Sequence, residues 1–229
     1  MLASDVLAKL KKLGKKKTAE IYRRHGATGE VWGVSFADLG TLKKQIKVDH
    51  NIAQSLWKSG VLDAQTLALM IADPATLTPA EADEWLAQAS ADVLLGYLAQ
   101  VVAPTSFARD KLQRWTQSED DFPRATGYTL LSLLLAGDQI PDDEARQYLN
   151  AIESTIRDSP NRSRHAMNMA LIAIGSNKSA LKKEAIAAAG RIGKVQVDHG
   201  KTSCKTPDAA AYIKKATARV RGRKRQSVC

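Results

Sequence analysis

The stretch KVQVDHGKTSCKTPDAAAYI, residues 194–213, collects residue types that could do chemistry at a break between two helical patterns. Cys204 and His199 supply one thiol and one imidazole, fewer than the three or four ligands that zinc requires. A Cys204 thiolate favoured by His199 as its base is a second interpretation. The third is a structural turn with a basic rim, whose lysines are Lys194, Lys201 and Lys205.

The turn accounts for more of these residues than either kind of chemistry. Gly193 can end one helix, Gly200 permits a tight turn, and Thr206-Pro207-Asp208 is typical of a helix start with proline in the first turn. We therefore favour the turn. We predict no metal ion and no cofactor, and we expect the three lysines to contact DNA.

The segment SPNRSRHAMNMALIAIG, residues 159–175, is a second candidate site. Arg162, Arg164 and His165 stand at the predicted start of a helix, where free N–H groups and the helix dipole suit a phosphate. His165 and Asn168 lie three residues apart, on one side of the helix. Two interpretations stay open: contacts to a DNA backbone, or a structural network between neighbouring repeats.

The charge of the chain is segregated along its length. Residues 1–58 carry 12 Lys/Arg against 5 Asp/Glu, residues 59–160 carry 6 against 16, and residues 161–229 carry 16 against 3. Two basic ends around an acidic middle indicate a polyanionic partner, and nucleic acid is the one we favour. The alternative is two solvated basic faces without a partner.

Composition excludes several classes of protein. No apolar run approaches the roughly 18 residues that cross a bilayer, and the N-terminal stretch has too few consecutive apolar residues for a signal peptide. Two cysteines, Cys204 and Cys229, do not make a disulfide framework. We expect a monomer in a cytosol of bacterial type.

Nearly every segment repeats apolar residues at helical spacing, and no stretch predicts a strand. Ser35, Asp49, Asp63 and Thr78 each precede such a segment and are expected to cap it, Thr78 with Glu81 as the reciprocal acid. Later helices are predicted at about 92–102, 105–117, 122–136, 142–158, 163–174, 178–192 and 207–220. The fold class is all-α, with helices that pair at the spacing of helical-repeat arrays. A compact helical bundle is the alternative.

Three stretches together resemble the AlkD-like DNA alkylation-repair proteins: residues 30–74, with GVSFADL before a basic helix; NRSRHAMNMALIAIGS, 161–176; and KVQVDHGKTSCKTPDAAAYIKKA, 194–216. The resemblance implies a HEAT-like helical-repeat superhelix whose concave basic face holds double-stranded DNA. It also implies an N-glycosylase that excises cationic N3- or N7-alkylpurines from duplex DNA without enclosing the damaged base in a pocket. A carboxylate there stabilises the positive charge that develops on the sugar.

The sequence departs from the pattern of that family at its catalytic positions. Leu95 or Gly96 stands where the resemblance places the catalytic aspartate, and Ala91 stands where it places an aromatic residue. Asp92 is the only carboxylate of this helix. It is our catalytic candidate, although an acid in a first turn is also an ordinary helix-start residue.

The arginine of the family pattern is displaced as well. In DDFPRATGY, residues 120–128, Phe122 takes the place of a tryptophan and the arginine position falls on Ala125. Arg124 lies one residue away, and we expect it to contact the DNA backbone.

Two functions therefore follow from the sequence: an alkylpurine DNA glycosylase, or a DNA-binding helical-repeat protein that has lost the catalytic aspartate. A protein-binding scaffold fits the segregated charge less well. We predict one helical domain over residues 1–218 and a basic, flexible tail over 219–229, whose charged residues are Arg219, Arg221, Arg223, Lys224 and Arg225.

Overall fold

A computed structural model describes residues 1–216, so the basic tail predicted for 219–229 lies outside the described residues. The helices are α1 Ala3–Leu13, α2 Lys16–Arg24, α3 Phe36–Ile46, α4 His50–Trp57, α5 Leu62–Ile71, α6 Pro79–Ala87, α7 Asp92–Val102, α8 Ala108–Thr116, α9 Asp121–Ala136, α10 Asp142–Thr155, α11 Asn161–Asn177 and α12 Lys182–Ile192. A short 3-10 helix, Ser179–Leu181, precedes α12. Residues 209–216 are helical too. Residues 1–216 contain no strand, which confirms the all-α class.

The contacts of the chain divide it into two compact units. Unit 1 comprises Met1–Gln113 with His199–Cys204, and unit 2 comprises Arg114–Asp198 with the residues from Lys205 onward. No helix of the described part of the chain is long and apolar enough to cross a membrane.

In unit 1, α5 is the central helix and contacts α1, α3, α4 and α7. Nine of its ten residues are buried, so it is enclosed on every side, as expected of a helix in the middle of a domain. α4 and α6 are joined by stacked indoles, since the rings of Trp57 and Trp85 lie 4.9 Å apart at 15°. The Trp57 indole N–H donates to Gln88 Oε1 at 2.7 Å, which satisfies its polar atom in the core.

In unit 2, α11 packs against α9, α10 and α12. Gly175 of α11 permits close packing, because a Cβ at this position would lie 2.6 Å from the Cδ1 atom of Ile213. Ile213 belongs to the helical residues 209–216 and is fully buried. The last described helix is therefore part of the core of unit 2.

Three of the predicted helix starts are confirmed. The side chains of Ser35, Asp49 and Thr78 accept the backbone N–H of Asp38, Ile52 and Glu81, as N-caps of α3, α4 and α6. The reciprocal bond predicted for Glu81 is not the one observed. Its carboxylate instead contacts His50 Nε2 and accepts the side-chain amide of Gln54, each at 2.9 Å.

Asp63 was expected to begin α5, and this prediction is wrong. The helix begins one residue earlier, at Leu62, and the Asp63 side chain is 1% exposed. Its carboxylate accepts the backbone N–H groups of Trp32 at 2.7 Å, Gly33 at 3.2 Å and Val34 at 2.7 Å. Asp63 therefore fixes a distant loop rather than the end of its own helix.

The loop that Asp63 holds has little freedom to move. Gly33 has a φ of 81°, and a Cβ there would lie 2.3 Å from the carbonyl oxygen of Lys15. Its own carbonyl accepts the N–H of Lys15 at 3.0 Å. Only glycine fits this conformation and this close approach. The loop thus delivers Ser35 and the start of α3 at a fixed place.

We expect the substitution Asp63→Asn to lower the free energy of unfolding by about 2–3 kcal/mol, measured by urea denaturation. An asparagine keeps one acceptor oxygen but turns an NH₂ group toward backbone donors, and it removes the charge. Asp73→Asn is the matched control, because Asp73 accepts one N–H, that of Ala75, in a surface turn that asparagine can also form. Equal losses in the two variants would contradict the role given to Asp63.

Candidate nucleic-acid interface

A largely apolar cavity of about 430 Å³ opens in unit 1. Tyr22 of α2, Phe36 of α3, Asp63 of α5 and Asp92 of α7 all line it, so four helices contribute. Its volume lies within the roughly 300–1,000 Å³ of pockets that bind small ligands. This cavity brings together Asp92, which the sequence analysis predicted as a site residue, and the aromatic residues Tyr22 and Phe36, which it did not predict.

Three aromatic rings form a group at this cavity. The Phe36 ring lies 5.8 Å from that of Tyr22 and 6.5 Å from that of Tyr97, the second pair nearly parallel at 26°. Phe36 is 46% exposed, although it is a large apolar residue. Because the ring packs on only part of its surface, the remainder is available to a ligand.

Tyr22 is the best fixed of the three rings. Its hydroxyl donates to the carbonyl oxygen of Val34 at 2.6 Å, in the same loop that Asp63 holds. Burial, with a smaller contribution from the Asp63 charge, raises the pKa of Tyr22 to about 12. Burial also raises the pKa of Tyr97. Both phenols are therefore neutral at physiological pH.

The structure places the catalytic candidate Asp92 at the first position of α7, where it is exposed. The residue before it, Ala91, is the N-cap and is 2% exposed. Leu95, one of the two residues that the family resemblance aligns with the catalytic aspartate, is 4% exposed and packs in the core. Gly96 has no side chain to offer. Asp92 is thus the one carboxylate that α7 presents at the cavity.

In unit 2, the start of α11 is not the free phosphate site that the sequence suggested. The carboxylate of Asp121, at the start of α9, accepts the N–H of Ser163 at 2.8 Å and that of Arg162 at 3.3 Å. It also accepts the Ser163 hydroxyl at 2.7 Å. Pro160, the N-cap of α11, makes no side-chain cap, so an acid from another helix supplies the negative charge that a helix start favours.

Two predicted DNA-binding arginines are engaged near this acid. The Arg162 guanidinium lies 4.5 Å from the centre of the Phe122 ring and 3.6 Å from the Asp121 carboxylate. Arg124 donates from Nε to the carbonyl oxygen of Ser118 at 2.6 Å. Both side chains are half-buried. Each already has a structural contact, and each side chain remains partly exposed.

Two further members of the predicted cluster have structural partners. Arg164 donates to the carbonyl oxygens of Ser159 at 2.8 Å and Gln196 at 3.1 Å, so it ties α11 to the segment after α12. Asn168 is fully buried, and its Nδ2 donates to the Pro207 carbonyl at 3.0 Å. Its burial supports the structural network for this residue, since an enclosed side chain does not reach a phosphate. His165 is half-buried.

The predicted lysines have the most exposed side chains. Residues 193–208 form an extended connection between α12 and the helix at 209, and Lys194, Lys201 and Lys205 are all exposed in it. Gly193 and Gly200 adopt positive φ angles of 76° and 60°, as expected for turns. The helix start differs from the expectation, because Asp208 rather than Thr206 caps it, its carboxylate accepting the N–H of Ala211 at 2.8 Å.

The proposed chemistry of this connection has little structural support. Cys204 is exposed, and its N–H contacts the hydroxyl of Thr202, which in turn donates to the His199 carbonyl. Across residues 1–216, no three or more His, Cys, Asp or Glu side chains are grouped so that they could hold a metal ion. These contacts describe a hydrogen-bonded turn.

The all-helical fold is that of a HEAT-like repeat protein. A solved structure described as "a new family of proteins related to the HEAT-like repeat DNA glycosylases with affinity for branched DNA structures" matches with a TM-score of 0.87. Its sequence identity is 27%, and the match covers 96% of this chain and 96% of that chain.

The chain belongs to the DNA alkylation repair enzyme family, whose profile it matches over residues 6–213. It is also similar to two uncharacterized Listeria proteins. Lin0241 of Listeria innocua is 32% identical over 228 residues, covering 96% of this chain and 100% of that protein. Lmo0209 of Listeria monocytogenes is 29% identical over 229 residues, with the same coverage. The family resemblance inferred from the sequence is confirmed.

Sequence reasoning missed the aromatic group. Tyr22, Phe36 and Tyr97 lie on three different helices, α2, α3 and α7, so no spacing within one helix connects them. One signal was available: Phe36 follows the Ser35 cap directly, and a phenylalanine at the first position of a surface helix is unusual.

We expect Tyr22→Phe to change how stability depends on alkaline pH. A tyrosine in an unfolded chain ionises near pH 10, whereas Tyr22 ionises at about 12 in the folded protein. The unfolded state therefore loses its proton first, and the free energy of unfolding decreases as pH rises from about 10 to about 12.

Urea denaturation across this range measures the effect, together with the ultraviolet absorbance of tyrosinate. The decrease should be shallower in Tyr22→Phe, and the component of the absorbance titration with the highest pKa should disappear. Tyr212→Phe, at a half-exposed residue, is the control. Identical curves for wild type and Tyr22→Phe would contradict the environment described for Tyr22.

Proposed function

We propose that this protein binds branched DNA and does not excise bases from it. The observation that carries the proposal is the match over 96% of the chain to a protein related to the DNA glycosylases with affinity for branched DNA. The composition of α7 supports it as well. Leu95 or Gly96 stands at the position that the family resemblance assigns to the catalytic aspartate, Leu95 is buried, and Ala91 replaces the aromatic residue.

The distribution of charge supports a nucleic-acid partner. The first 58 residues and those from 161 onward carry most of the Lys/Arg, and many of these side chains are exposed. Exposed cations bind phosphates with a gain in free energy that comes largely from released counterions. Such binding does not depend on sequence, which suits a protein that recognises the shape of DNA.

We assign the phosphate contacts first to Lys194, Lys201 and Lys205, because these side chains are exposed on an extended segment. Arg124, Arg162 and Arg164 are secondary contacts, since part of each guanidinium already binds protein groups. His165, at the same helix start, joins them. Asn168 is left out of the interface because it is buried.

We expect the double substitution Lys194→Ala with Lys205→Ala to make DNA binding less sensitive to salt. Each lost phosphate contact reduces the magnitude of the negative slope of log K against log salt concentration by about 1, so the pair should reduce it by about 2. The measurement is a titration of fluorescent branched DNA at several salt concentrations.

Lys183→Ala, at an exposed lysine of α12, is the matched control and should leave the slope unchanged. If Lys183→Ala alone reduces the magnitude of this slope by half as much as the double substitution does, the basic residues act as a general positive surface rather than as specific contacts.

A glycosylase is the second candidate function, and one observation favours it. Asp92 lines the same cavity as Tyr22 and Phe36, so a carboxylate and aromatic rings share one cavity, the combination that the family resemblance implies for base excision. In that case Asp92 would stabilise the positive charge that develops on the sugar as the bond to the alkylated base breaks.

Base release from a duplex that contains N7-methylguanine decides between the two functions. We expect no release above the spontaneous rate, either by the wild-type protein or by Asp92→Asn, while both bind branched DNA equally. Release by the wild type that falls by a factor of about 100 or more in Asp92→Asn would establish the glycosylase. Asp73→Asn, at a carboxylate outside the cavity, controls for the change of charge.

A further inference from the structure

We propose that the cavity of unit 1 binds one unstacked nucleobase of branched DNA, with the base stacked on the exposed face of Phe36. The inference rests on the proposed function and adds to it a specific contact. It also differs from what the family resemblance implies, which is recognition without a pocket for the base. The ligand is the flat, largely apolar ring of an unpaired base at a branch point.

The exposure of Phe36 favours stacking with a base. This ring is 46% exposed at the edge of a cavity, and it already stacks at 26° on Tyr97 within the protein. Leaving a phenylalanine in water forgoes the free energy of burial. A base that stacked on the open face would recover it and extend the stack by one ring, as aromatic residues do in proteins that bind single-stranded DNA.

The Phe36 ring is held in place before any ligand binds. Ser35 caps α3 immediately before Phe36, and the preceding loop is fixed by Asp63 and by the Tyr22 hydroxyl. A fixed platform loses little conformational freedom on binding, so most of the stacking energy appears as affinity.

The charges at the cavity favour a neutral base over a phosphate. Among its lining residues, the carboxylates are those of Asp63 and Asp92, and Asp92 is exposed. A phosphate would be repelled here, whereas a neutral base would not. The nearest cations in the sequence are Arg23 and Arg24, which are exposed at the end of α2 between the lining residues Tyr22 and His25 and do not line the cavity themselves. The arrangement suits a base inside and its phosphates outside.

Branched DNA supplies the ligand at low cost. A base in a duplex must be unpaired and unstacked before it can enter a pocket, which costs a few kcal/mol. An unpaired base at a branch point has already lost its partner. The cavity would therefore add affinity for a branch and little or none for an intact duplex.

Photochemical cross-linking tests the contact directly. The DNA is a three-way junction with two unpaired thymidines at the branch point, one of them replaced by 5-iododeoxyuridine, and the full-length protein is used. We expect the cross-link to fall on Phe36, Tyr22 or Tyr97, identified by mass spectrometry. The same analogue placed in a paired arm should give no cross-link to these three residues.

A thermodynamic cycle tests the energy of the contact. Phe36→Ala should weaken binding of the junction about tenfold, and Phe36→Trp should restore it. Val48→Ala, which truncates another exposed apolar side chain of unit 1, should have no effect. When the two branch-point thymidines are replaced by abasic nucleotides, Phe36→Ala and wild type should bind equally. Thermal unfolding of each variant confirms that it is folded.

The outcomes separate this inference from the proposed function. If the wild type prefers the junction to a duplex but Phe36→Ala binds the junction equally well, the base contact is refuted and the proposed function stands. If Phe36→Ala weakens the intact and the abasic junction by the same factor, the ring contacts something other than a base, and the inference is again refuted. If the wild type does not prefer the junction at all, both fail.

Discussion

The buried carboxylate of Asp63 is the constraint on which the cavity of unit 1 and its aromatic rings depend. It satisfies three successive backbone N–H groups, those of residues 32–34, at distances of 2.7–3.2 Å. A loop that enters a core must pair its N–H groups with protein acceptors, because water is excluded there. With the loop fixed, Ser35 caps α3, Phe36 projects from its start, and the Tyr22 hydroxyl finds the Val34 carbonyl. The rim of the cavity follows from this single interaction.

Unit 2 uses the same physical solution at another place. Asp121 offers its carboxylate to the N–H groups at the start of α11, where the helix dipole favours a negative charge. The protein thereby occupies a position that could otherwise bind a phosphate. The cations near it take part in internal contacts as well, such as Arg162 over the Phe122 ring. The exposed lysines of residues 193–208 are consequently the better candidates for contacts to DNA.

Local chemistry was predictable from the sequence, and long-range pairing was not. The caps at Ser35, Asp49 and Thr78 and the span of α7 agree with the predictions, because each depends on residues a few positions apart. Asp63 also looked like a helix-start residue, and Asp121 stands at the first position of α9. Each carboxylate instead accepts backbone N–H groups about 30 or 40 residues away, because the tertiary structure brings those groups close to it. The family resemblance was carried by short motifs, and the family match confirms it.

The candidate site follows the same division. The exposed lysines could be named from the sequence because turn glycines mark their segment, whereas the cavity joins four helices and has no local signature. Asn168 was predicted to contact DNA, and this prediction is not supported by its burial. Its position beside Arg164 and His165 suggested a surface cluster, but it faces the core and binds the Pro207 carbonyl.

The most direct test of binding to branched DNA without base excision is a competition experiment. Wild-type protein, bound to a fluorescent three-way junction, is challenged with unlabelled junction or unlabelled duplex of equal length. We predict that the junction competes at least about tenfold more effectively, a difference of about 1.4 kcal/mol, and that both DNAs are recovered with every base intact. Equal competition by the two DNAs, or recovery of DNA with excised bases, would contradict this prediction.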